Sequence, residues 1–217
     1  MELNIFVYVL LIFCIPYLLY SNIRIKPRKG FSILFISIIS TVILLNFSLL
    51  TIVGIIFLML SLLIKKENLH PYLYVTSFGL LNYEIFNILN LNVFDLVIDH
   101  LFPISLVSGV FSSMMIGHWF LVDPTISKEG MKKIALLSTI QSFILSPLVF
   151  FEFIGQDIES IFKNVILILF LSTSILSFAS YKSLGEKSYT GVMASTGLSY
   201  LSLIVSLGAS GGLLLLS

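Results

Sequence analysis

The sequence predicts an all-α fold, a polytopic transmembrane helix bundle of about eight spans with both termini outside, and three observations predict it. Of the 217 residues, 58% are hydrophobic and 11% are charged, whereas a water-facing domain carries about 25% charged residues. The apolar residues fall in long runs, and one span needs roughly 20 of them to cross about 30 Å of hydrocarbon. The basic residues cluster between alternate runs, as inner loops do under the positive-inside rule. The chain therefore reads as a single integral membrane domain, 1–217, with little left for a soluble one.

The first helix is expected at about 3–20, with Pro16 kinking its inner end and Arg24, Lys26, Arg28 and Lys29 following it. A cleaved signal peptide would carry its positive charge in front, so this segment reads as a retained helix. Residues 31–64 form 34 positions without a charge, about 51 Å as one helix and too long for one crossing. The run must fold back, with Asn46-Phe47-Ser48 as its turn and helices at 31–45 and 48–64; Lys65-Lys66 then lies on the side of the first basic loop.

Helix four is expected at 71–91, with Pro71 in its first turn, where the missing N–H costs nothing. Residues 92–100 carry Asp95 and Asp99 without Lys or Arg and read as an outer loop. Helix five, 101–122, ends before Asp123-Pro124, an N-cap and N1 pair opening the loop with Lys128, Lys132 and Lys133. Helices at 134–153, 161–181 and 189–216 complete the scheme. It puts eleven of the twelve basic residues inside and Lys163 alone outside. The matching orientation of helices one to four and five to eight would also fit a parallel 4+4 repeat.

Composition excludes several chemistries. One cysteine, Cys14, forms no internal disulfide and supports no Cys-based metal site, and no metal site is expected. Nothing in the sequence suggests nucleic-acid binding, because no basic domain exists to supply it. Phosphate-binding loops, HExxH and GxSxG are missing from the sequence. Catalytic residues are thus unknown, and the chain reads as a protein that is not an enzyme on its own.

The candidate functional residues are polar groups inside predicted spans, where each costs free energy and suggests a role. Glu84 is the only carboxylate predicted near mid-membrane, with Ser77 and Asn87 on the same helical stripe and Asn90 nearby. This stripe suits a proton-titrating or cation-coordinating transport site; the competing reading is a Glu that hydrogen-bonds helices together. His118 lies one turn inside helix five, in Gly117-His118-Trp119, where Gly117 permits close approach by a neighbour. Counted from the predicted helix ends, Gln141, Thr173 and Thr196 lie about 6 to 12 Å from the same surface. They would frame an inner-leaflet pocket fitting a quinone headgroup or the edge of heme b. Helix eight is rich in small residues, with Gly208 and Gly212 as a GxxxG pair.

Two stretches, GHWFLVDP at 117–124 and ASTGLSY at 194–200, resemble a GHW(Y/F)LV pattern followed by SATGLLY in uncharacterised polytopic prokaryotic membrane proteins. The resemblance implies that His118, Thr196 and Tyr200 matter together, and it implies no activity. Met193 stands where that pattern has a glutamine.

Three functions follow, all for a multi-pass protein of a prokaryotic cytoplasmic membrane, with the bilayer and other membrane subunits as partners. The first is a subunit or accessory protein of a quinone- or heme-linked electron-transfer system, with His118, Gln141, Thr173, Thr196 and Tyr200 around the ligand. The second is a proton- or cation-coupled transporter of a small solute using Glu84 and Asn87. The third is a non-catalytic scaffold or assembly factor.

Overall fold

A computed structural model describes residues 2–24, 29–63, 70–124, 127–186 and 188–216. Lys26, Arg28, Lys65, Lys66 and Lys187, on which part of the charge argument rests, lie outside the described residues. The described chain is helical, with no strand, and comprises eight helices. These are α1 (Leu3–Arg24), α2 (Lys29–Leu45), α3 (Leu49–Leu63), α4 (His70–Leu89), α5 (Val93–Val122), α6 (Glu129–Phe150), α7 (Ser160–Ser183) and α8 (Tyr189–Leu216). Among the described residues, α5 to α8 are long and apolar enough to cross a membrane, and α1 to α3 carry shorter apolar stretches. Large side chains such as Leu44, Phe143, Ile175 and Ile204 are exposed on the outside of the bundle, as lipid-facing positions would be.

Local chemistry explains several helix ends. The break in the long apolar run falls at Asn46–Ser48. There the Ser48 hydroxyl accepts the Thr51 N–H at 3.1 Å, satisfying one of the orphan donors at the start of α3. Asn90 ends α4 with a positive φ of 46°, a conformation asparagine tolerates better than most residues. α1 continues through Pro16 to Arg24.

Two expected loops are shorter than the sequence suggests. Residues 93–100 are helical, because α5 begins at Val93 and passes through a wide π-type turn at Leu96–Leu101. This turn precedes Pro103, which has no N–H to return to the ladder. Asp123-Pro124 opens no helix: Asp123 caps the end of α5, its N–H on the Trp119 carbonyl, and α6 starts at Glu129. Lys163, the basic residue expected outside, pairs with Glu152 at 2.8 Å.

α5, α6, α7 and α8 pack in a closed ring, each against the next and α8 back against α5. α1 lies along α5, α2 along α1, and α3 pairs with α4. The ring interior combines an apolar core, including Leu106, Val110, Leu145, Phe170 and Leu213, with many buried serines. Ser177 and Ser202 hydroxyls meet at 2.9 Å, and Ser180 meets Ser195 at 2.7 Å. Ser142 donates to the Phe170 carbonyl, Ser174 to Thr139 at 3.2 Å, and Ser210 to Pro103 at 3.0 Å. Ser108 links the ring to α1 through the Leu10 carbonyl at 2.9 Å. At one end of the ring, the Lys128 ammonium donates to the Glu186 and Ser188 carbonyls, tying the α5–α6 and α7–α8 loops together.

The glycine contacts separate tight approach from mere small size. Gly208 and Gly212 face Leu169 and Ile166 of α7 with 3.7 Å available to an added methyl carbon, so the GxxxG pair does not mark the closest packing. Gly191 does: a Cβ there would stand 2.5 Å from the Ser183 carbonyl oxygen. Backbone cannot yield cheaply, and overpacking of this kind costs about 1–3 kcal/mol. Gly191→Ala is expected to lower the thermal midpoint of the detergent-solubilised protein clearly. Gly197→Ala, where nothing lies within 4 Å, is expected to leave it level or raise it slightly through helix propensity; equal effects at both positions would refute this packing.

Candidate functional site

The most connected polar group is built around Glu84. Glu84 lies on α4, five residues or about 8 Å from its end at Leu89, and is 8% exposed. The α2–α3 turn brings Asn46 to it, and the Asn46 amide donates to Glu84 Oε1 at 3.0 Å. The same amide reaches Thr51 Oγ1 at 3.3 Å. Thr51 is fully buried and hydrogen-bonds the Tyr8 hydroxyl of α1 at 2.7 Å and the Ser48 hydroxyl at 3.0 Å. One carboxylate, one amide, one phenol and two hydroxyls therefore join α1, the α2–α3 turn, α3 and α4.

Among the described residues, the groups that hydrogen-bond in this cluster with Glu84 are neutral. A buried charge is costly unless it is paired or hydrogen-bonded, and the Asn46 amide supplies one such bond to this carboxylate. The hydroxyls of Tyr8, Thr51 and Ser48 connect to Glu84 through the Asn46 amide. Among the described residues, no group of three or more His, Cys, Asp or Glu converges.

The α4 stripe divides. Ser77 is buried and donates to the Gly54 carbonyl of α3 at 2.7 Å, on the same side of the helix as Glu84. Asn87 is exposed, because three residues advance the helix by about 300° and carry it past the packed face. The amide that serves Glu84 is therefore Asn46. The sequence marks Asn46 and Ser48 only as turn formers in an uncharged run, and Tyr8 and Thr51 carry no signal at all in theirs.

The expected ring of groups around His118 is dispersed. His118 is exposed on α5, four residues from Val122. Gln141 is buried and donates to the Phe102 carbonyl, at 3.0 Å, and to Ser105 Oγ. Ser105 is about 20 Å from His118 along α5. The physical reason is the helix start: α6 begins at Glu129 instead of 134, so Gln141 is about 18 Å into the helix instead of about 10 Å. Thr173 is buried on α7 and donates to its own helix at Leu169, ten residues or about 15 Å from the Ser183 end.

Only Thr196 stays at the His118 end. It packs against Gly117, where an added Cβ would stand 2.5 Å from Thr196 Oγ1 and 2.6 Å from Met131 Cε. Tyr200, one turn further along α8, is 44% exposed. The two familiar stretches thus meet in space through Gly117 and Thr196, as a close helix crossing. Gly117→Ala is expected to lower the thermal midpoint, by an overpacking cost of about 1–3 kcal/mol. Adding Thr196→Ala should recover part of that loss, and a fully additive double variant would show that the two do not share a contact.

No protein-family model, curated protein or solved structure matches the chain, so these residues carry the functional reading by themselves.

Proposed function

We infer that the protein is a multi-pass protein of a prokaryotic cytoplasmic membrane in which Glu84 takes up and releases a proton or a monovalent cation, coupling it to movement of a small solute. The observation that carries this reading is a buried carboxylate whose hydrogen-bond partner among the described residues is the neutral Asn46 amide, placed where four segments meet. Coupling needs such an arrangement: loading Glu84 changes the hydrogen bond to Asn46, and Asn46 belongs to the turn that sets α2 against α3. Eight crossings with both termini outside accord with the distribution of basic residues in the sequence. The lipid bilayer and other membrane subunits are the partners this setting implies.

The electron-transfer reading has less support. Quinone or heme b at His118 would draw on Gln141 and Thr173, and those side chains are engaged about 20 Å and about 10 Å away along the bundle. The scaffold reading gains from the many serine contacts but gives Glu84 no task beyond holding helices.

Reconstitution in liposomes containing a pH-sensitive dye tests the transport reading. An imposed pH or Na+ gradient is expected to produce a protein-dependent flux that Glu84→Gln abolishes while the thermal midpoint stays close to the parent's, because an amide can still accept from Asn46. Asn46→Ala is expected to reduce the flux and lower the midpoint. Undiminished flux in Glu84→Gln would refute the reading, and a lowered midpoint with no flux in any variant would favour the scaffold.

A further inference from the structure

We propose that the centre of the α5–α8 ring is a binding site for one structural water molecule, held by Ser113 of α5 and Ser138 of α6. A cavity of about 10 Å³ lies there, lined by Ser113, Ser138, Ser177, Ser180, Ser199 and Ser202. That volume is at the lower limit for one water, and water is retained where several polar partners surround it. The six hydroxyls come from all four helices of the ring, and Val110 and Ala135 complete the wall.

The two halves of the wall differ in a way that points to an occupant. Ser177 is bonded to Ser202, and Ser180 to Ser195 and Ser199. Ser113 and Ser138 are 2% and 1% exposed, and neither hydroxyl has a hydrogen-bond partner among the described residues. A buried hydroxyl without a partner is costly, and in a hydrocarbon setting no outside solvent can relieve it. Ser177, Ser199 and Ser202 have one hydroxyl partner each and keep an oxygen lone pair available. A water in the cavity would accept from Ser113 and Ser138 and donate to two oxygens of the α7–α8 pair, giving four hydrogen bonds. A monovalent cation fits less well, since none of the lining groups bears a charge. The water would then join the α5–α6 side of the ring to the α7–α8 side, and this role is independent of Glu84.

A crystal structure from lipid at a resolution that shows ordered solvent is the direct test. The expected result is one solvent peak about 2.7–3.2 Å from both Ser113 Oγ and Ser138 Oγ. A cavity without a peak, with both hydroxyls turned onto carbonyls of their own helices, would overturn the proposal. Thermal midpoints of Ser113→Ala, Ser138→Ala and the double variant provide a second readout. A shared water predicts that the two losses are non-additive, with a discrepancy of about 2–4 °C for each kcal/mol of coupling. Additive losses would count against it.

Discussion

A polar group in an apolar bundle must find its partner inside the protein, and the arrangement of this chain follows from that constraint. Helices satisfy their own backbone. Side-chain hydroxyls do so by turning back to their own helix or by reaching across to a neighbour, and only the second choice fixes where the neighbour lies. Ser77 on Gly54, Ser108 on Leu10, Ser174 on Thr139 and Ser210 on Pro103 all take it. A serine reaches so short a distance that such bonds need close helices, and the buried small residues of α5 to α8 allow that closeness. A carbonyl inside a helix can accept a second hydrogen bond through its free lone pair, so the contact does not require the ladder to open.

The two halves of the chain use polar groups differently. α5 to α8 close on themselves around serines, without a buried carboxylate on the walls of the central cavity. The first four helices do not repeat that ring: α1 lies along α5, and α3 pairs with α4. Their polar contacts gather where the α2–α3 turn meets Glu84, with Tyr8 of α1 closing the group. The Glu84 cluster thus involves α1 to α4 and the α2–α3 turn, apart from the serine contacts of α5 to α8.

How much of this was legible in the sequence depends on the range of the signal. The helical class followed from composition and from runs of apolar residues, which are local properties. The fold-back at Asn46-Phe47-Ser48 followed from a length argument, since 34 uncharged residues exceed one crossing. Glu84 stood out because a lone carboxylate in an apolar helix must be accounted for. Its partner did not, because Asn46 is 38 residues away and only packing brings it close. The different levels of Gln141 and His118 are not legible in the sequence for a simpler reason: α6 starts at Glu129, five residues before the position the apolar run suggests, which places Gln141 about 8 Å further along the helix. The contact of Gly117 with Thr196 was half visible, as a glycine permitting close approach whose neighbour the sequence could not name.

The central claim is that the Glu84 carboxyl exchanges a proton or a monovalent cation within the cluster of Tyr8, Asn46 and Thr51. Infrared difference spectroscopy of the purified protein in lipid, recorded on changing pH and on adding Na+, measures that group directly. The account predicts a carboxyl band that responds to one of these changes and is missing from the Glu84→Gln spectrum. A Glu84-dependent band that responds to neither, over the whole range in which the protein stays folded, would contradict it.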